Sequence, residues 1–155
     1  MRLVPMTEAD YAAYLERLLP EYAAEHVRAG NWPAEHAETM AQAQLQAILP
    51  DGLHTPDHYL YLLRVEGETD PVGQLWLGVM RQGGAPRAFI YDIEIYERFR
   101  RRGYATQALQ AAEAQARELG LSSIALHVFG HNTGARALYE KQGYAVTDVV
   151  MAKDL

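Results

Sequence analysis

Apolar residues change their spacing along this chain near residue 57, from helical period to strand-like alternation. Residues 2–6, RLVPM, suit a short opening strand. Thr7 then stands as a helix N-cap, with Glu8 and Asp10 in the first turn where the helix dipole favours negative charge. Tyr11, Tyr14, Leu15, Leu18 and Leu19 follow at helical spacing. Pro20 predicts an interruption and a second helical piece through Val27. Pro33 opens a third helix that Pro50-Asp51-Gly52 ends. Beyond it, HYLYLLRVE (58–66) and PVGQLWLGVM (71–80) read as an antiparallel hairpin, and AFIYDIEIY (88–96) as a third strand. A helix over 104–119, a strand over 122–129, a short helix from Asn132 or Thr133 to Gln142 and a final strand in YAVTDVVMAKDL complete the chain.

Helices first, then a meander, then β-α-β-α-β, predict an α+β fold on a mixed central β-sheet flanked by helices. No repeat, low-complexity tract or linker interrupts the 155 residues, so one domain over 1–155 is expected. The chain has no cysteine, which removes disulfides, thiolate nucleophiles and zinc–thiolate sites. The absence of a secretory h-region near the N-terminus, and of any apolar run long enough for a membrane span, predicts a cytoplasmic protein without a membrane partner.

Charge bears on one segment above all. RFRRRGYATQAL (98–109) carries four arginines in its first five positions, yet the formal net charge is −6. An acidic body repels polyanions, so a nucleic-acid module, which carries a broad basic face, is disfavoured. A local basic spot suits one small phosphorylated ligand. The setting supports this: a strand delivers the chain to the N-terminus of an amphipathic helix, where unpaired N–H groups and the positive dipole end make an anion site. Gly103 carries no side chain to obstruct a ligand pressed on the backbone, and Ala105 is nearly as small. No G-x-G-x-x-G turn follows a strand and no G-x-x-x-x-G-K-[ST] occurs, so dinucleotide and P-loop readings fail.

Arg100-Arg101-Arg102-Gly103-Tyr104-Ala105 fits [RQ]-x-x-G-x-[GA], and on this motif the chain resembles the GNAT superfamily of acyl-CoA-dependent N-acyltransferases. ALHVFGHNTGARALYEKQGY (125–144) is similar to that family's second motif, and the resemblance spans about residues 58–150. It implies an acetyl-CoA-dependent N-acetyltransferase acting by direct transfer to a primary amine. Backbone N–H groups of Arg101, Arg102, Gly103, Tyr104, Ala105 and Thr106 would cradle the coenzyme A pyrophosphate, with Arg98 or Arg100 reaching a ribose phosphate. A splayed strand pair would form the acyl-CoA cleft, and freed backbone groups at Ile93 and Ile95 would pair with the amide-bearing arm of the coenzyme. Asn132 would bond the coenzyme or a bridging water, besides capping its helix. Tyr139 matches the family's acid, whose phenol protonates the departing thiolate.

The base is less plainly marked. Asp92 and Glu94 lie two apart on one strand, share a face, and are placed to take a proton from an ammonium acceptor or to attract it; an exposed strand face is the plain alternative. Many family members carry a glutamate earlier on this strand, where this chain has Phe89 and Ile90. No metal is expected, because the pairs His54/His58 and His127/His131 sit on no clear helix. Trp32, Trp76, Tyr11 and Tyr14 read as core or cleft lining; Tyr59, Tyr61 or Trp76 facing the cleft would offer a cation an aromatic wall. A small-molecule or peptide amine is the expected acceptor, and assembly as a homodimer is left open. The rival reading is a non-catalytic acyl-CoA-binding regulator on the same fold.

Overall fold

Five strands and four helices account for most of the chain in the computed structural model, which describes residues 1–155. In chain order they are β1 (Arg2–Pro5), α1 (Glu8–Arg28), α2 (Ala37–Ile48), β2 (His58–Arg64), β3 (Gly73–Met80), β4 (Arg87–Ile95), α3 (Tyr104–Glu118), β5 (Ile124–Leu126) and α4 (Thr133–Lys141). The sheet order is β1-β2-β3-β4-β5, antiparallel up to β4 and parallel between β4 and β5. The predicted α+β class and mixed sheet are therefore observed.

Period-two alternation divides the core between the two sheet faces. Leu63, Leu75, Leu77, Ile90 and Ile95 pack with Ala108, Leu109 and Ala112 of α3. Leu60 and Trp76 face the other way, packing with Met6, Tyr14 and Leu49 beneath α1 and α2. Tyr59 and Tyr61 lie on the α3 side, whereas Trp76 lies beneath α1 and α2.

α1 begins where expected. The Thr7 side chain accepts from the Asp10 N–H (3.2 Å) and the Asp10 carboxylate accepts from the Thr7 N–H (2.9 Å), a reciprocal capping box. Pro20 does not split it: the helix runs unbroken to Arg28, because Pro20 and the Glu16 carbonyl it leaves without a donor lie on the exposed face, within reach of water. Pro33 starts a 3-10 turn, Ala34–His36, and the α-helix proper begins at Ala37.

Two differences lie at the C-terminal end. β5 is only three residues long, shorter than the expected strand over 122–129. The final strand does not form: residues 145–155 have no regular structure and are exposed. Their alternation is suitable for a strand, but no backbone hydrogen bond joins them to another segment.

Candidate active site

A β-bulge sets the site. β3 and β4 pair Trp76 with Asp92 but Leu77 with Ile90, leaving Tyr91 as an extra residue. The shift lets Ile90, Ile93 and Ile95 share the α3 face although their spacing breaks period two, and it turns Asp92 and Glu94 toward α1. The displaced Tyr91 ring stacks on Trp76 (4.6 Å, 18°). Gly78 makes room for it, since a Cβ there would stand 2.6 Å from the Tyr91 ring.

The bulge also marks where the sheet opens. β5 pairs with β4 only over Ala88–Ile90, whereas β4 continues to Ile95. The Tyr96 N–H donates to the Val72 carbonyl on the β3 side (2.9 Å), so by alternation the backbone groups of Ile93 and Ile95 point to the edge β5 has left. That edge is not wholly free: the Ile95 carbonyl accepts from Arg100 Nε (3.0 Å).

Beyond β4, the chain enters α3 through a strained turn. Arg101 (φ 64°) and Gly103 (φ 80°) both adopt left-handed backbone, and Gly103 is the N-cap without a capping side chain. No N–H from Arg101 through Thr106 donates to a protein acceptor; the nearest neighbours that do are Arg100, to the Glu97 carbonyl, and Gln107, to the Gly103 carbonyl. No atom lies within 4 Å of where a Gly103 Cβ would stand. This run of consecutive unpaired donors at a fifteen-residue helix's positive end forms an open cradle for an anion.

The arginines around the turn divide their work. Arg98 pairs with Asp70 (2.9 Å), Arg102 with Glu68 (3.0 Å), and both guanidiniums lie over the Phe99 ring. Arg100 turns back to β4, close to Glu94 (3.5 Å). Arg101 alone makes no ion pair or side-chain hydrogen bond. Arg98 and Arg100, expected at a ribose phosphate, are thus engaged within the protein.

The bulge brings Asp92 under α1. Its Oδ2 accepts from the Tyr14 hydroxyl (3.2 Å) and from Gln74 Nε2 (2.9 Å). Tyr14 and Gln74 are almost wholly buried, 1% and 2% exposed. Gln74 is fixed in turn, because its Oε1 accepts from Arg17 Nη2 (2.8 Å) and the Tyr96 hydroxyl (3.2 Å). Burial raises the Asp92 pKa above the ordinary carboxylate range, partly offset by these two donors. Glu94 is raised too, first by burial and then by Glu21 and Asp92, with Arg100 and Arg17 acting in opposition.

Tyr139, on α4, packs against the α3-side core. Its phenol pKa is raised, first by burial and then by the charge of Asp92. Asn132 caps α4, its side-chain oxygen accepting from the Ala135 N–H (3.2 Å). His54 pairs with Glu8, His131 with Glu25, and His58 accepts from Trp76 Nε1. No group of three or more His, Asp or Glu is disposed to hold a metal.

The sequence singles out Asp92, Glu94, Tyr139 and the 101–106 turn, but not the Tyr14, Arg17 and Gln74 side chains that hold Asp92 in its network. A signal for Gln74 existed: it is the one polar side chain in the otherwise apolar GQLWLGVM strand.

A mixed sheet whose last strand pair ends at Ile90, followed by a helix with open main-chain donors at its start, is the framework of an acyltransferase of the GNAT class. Residues 15–144 match the model of the acetyltransferase (GNAT) family, and the chain belongs to that family. It is similar to the uncharacterized N-acetyltransferase YycN of Bacillus subtilis, 43% identical over 99% of this chain and 97% of YycN. YdgE of the same organism, another uncharacterized N-acetyltransferase, is 35% identical over the same shares. The YycN crystal structure superposes with a TM-score of 0.93, covering 99% of this chain and 98% of that one. The protein is thus an enzyme, an acyltransferase.

Proposed function

We propose that residues 1–155 act as a single N-acetyltransferase domain, moving an acetyl group from acetyl-CoA to a primary amine of a small molecule or peptide within a ternary complex. The observation that carries this reading is the run of unpartnered main-chain donors from Arg101 to Thr106 beside the parted strands. The donors hold the diphosphate, Arg101 adds charge, and Asn132 binds the coenzyme directly or through a water. The edge of β4 at Ile93 and Ile95 aligns the amide-bearing arm, with Ile95 contributing its N–H while its carbonyl stays with Arg100.

The acceptor arrives from the α1 side, where Glu21, Asp92 and Glu94 attract an ammonium. Asp92 takes the proton that makes the amine nucleophilic, directly or through one water; Glu94 assists by charge. The amine nitrogen bonds the thioester carbonyl carbon, the C–S bond breaks, Tyr139 gives its proton to the departing sulfur, and the proton still held by the new amide nitrogen passes to the Tyr139 oxygen to restore the phenol. With no cysteine in the chain, direct transfer needs no acyl-enzyme, and much of the acceleration comes from positioning. An acceptor screen that follows thiol release from acetyl-CoA tests the reading: amine-dependent release supports it, and none with any amine class at millimolar acetyl-CoA contradicts it.

A further inference from the structure

α4 carries Tyr139, yet none of its nine residues is fully buried, so its own packing fixes it weakly. Its C-terminal end is anchored: the Tyr144 N–H donates to the Tyr139 carbonyl (3.0 Å), and the Tyr144 ring packs on the α3-side core. Its other end has no such anchor in the backbone. β5 stops pairing with β4 at Leu126, and over residues 127–131 the only backbone hydrogen bond is local, from the Asn132 N–H to the Phe129 carbonyl (2.9 Å). The stretch that leads into α4 is therefore held by side chains.

Those side chains reach α1. Ile124 and Leu126 pack on the α3-side core, whereas Phe129 and His131 meet the last turn of α1. His131 Nε2 donates to the Glu25 carboxylate, the one hydrogen bond between residues 127–131 and another element. Both side chains are partly covered, 22% and 38% exposed, so water competes for the bond only in part. The Phe129 ring stands perpendicular to His26 (5.1 Å, 90°) and lies parallel to His131 (5.4 Å, 12°), so one ring links both contacts. The α1 side is firm: His26 stacks on Trp32 (3.9 Å, 15°), and Tyr22, one turn earlier, meets both rings edge-on. α1 thus touches the proposed base through Tyr14 and, about three turns on, the root of the helix that bears the proposed acid.

We infer that Glu25 and His131 are positioning residues for Tyr139: their hydrogen bond, braced by Phe129 against His26, straps the start of α4 to the end of α1. The inference rests on the proposed role of Tyr139 as the acid. His131→Ala should lower kcat by about 10²-fold, the effect of moving a reacting group by an ångström. His131→Gln keeps an N–H donor and should restore most of the rate. Should His131→Ala not fold, Glu25→Ala removes the same bond from the helix surface. Adding Tyr139→Phe separates positioning from a general loss of structure. A displaced phenol has little left to lose, so the double variant should be no slower than Tyr139→Phe alone. Losses that multiply, or a His131→Ala enzyme of full rate, overturn the inference. If Tyr139→Phe alone is fully active, the acid assignment fails and hydrogen exchange decides the strap. Faster exchange at the α4 amides of His131→Ala, with α3 unchanged, then supports it; unchanged exchange in α4 overturns it.

Discussion

The buried hydroxyl of Tyr14 donates to Oδ2 of Asp92 across 3.2 Å, joining the first helix to the strand next to the parted edge. With Gln74 donating to the same oxygen, Oδ2 is committed as an acceptor, and the exchangeable proton of Asp92 is left to Oδ1. Asp92→Asn retains the shape and an acceptor for both donors but removes the proposed base. The expected result is a loss of about 10²–10⁴-fold in kcat, with acetyl-CoA affinity little changed, read by steady-state kinetics and calorimetry.

Stability of that variant should depend on pH in a defined sense. Asp92 ionises at higher pH folded than unfolded, so over that window the folded state binds more protons and wild-type stability falls as pH rises. The amide of the Asp92→Asn variant has no such titration. The melting temperature of the variant relative to wild type should therefore climb as pH rises above about 4, the ordinary aspartate pKa. A flat difference would contradict the raised pKa.

Gln74 is a positioning residue for Asp92. Gln74→Leu leaves Arg17 and Tyr96 without their buried acceptor and Asp92 with one donor in place of two. It should destabilise by about 1–3 kcal/mol, the usual penalty for buried groups left unsatisfied. It should also move the acidic limb of the pH–rate profile upward, because the lost donor favoured the ionised carboxylate. A purely structural role would lower the melting temperature and leave the limb in place.

Tyr139→Phe removes the proposed proton donor and preserves the ring that packs on the α3-side core. A kcat loss of about 10²–10⁴-fold with intact acetyl-CoA binding is expected. A leaving thiol of lower pKa should recover part of the loss. Equal loss with every thioester would point to packing instead.

Gly103 separates backbone strain from ligand access. Ala there faces φ 80° but meets no neighbouring atom, so the stability cost should stay near about 1–2 kcal/mol. A methyl added at the proposed phosphate site should lower acetyl-CoA affinity while turnover at saturation is largely kept.

Much of this site was legible because it is built from local signals. The strand–arginine–glycine–helix order around Gly103 announces a helix N-terminus, and LYEKQGY announces a helix bearing Tyr139. The carboxylate pair was legible from spacing, but its burial was not. That depends on the bulge at Tyr91, which breaks the alternation that strand reading assumes, and on Gly78 yielding space to a ring from the neighbouring strand. Tyr14 and Gln74 were hidden for a related reason: their partner lies 78 and 18 residues away, and long-range contacts leave no periodic trace. The C-terminal strand failed differently. Alternation records the capacity to pair, whereas pairing needs an edge within reach.

The most direct test of the account follows the amide resonances of residues 101–106 as coenzyme A is added to the labelled protein. Hydrogen bonding to a diphosphate should shift the N–H signals of Arg101, Arg102, Gly103, Tyr104, Ala105 and Thr106 together, downfield and saturably, with acetyl-CoA reproducing the pattern. If the coenzyme binds while these amides stay in place, the cradle at the start of α3 is not its phosphate site.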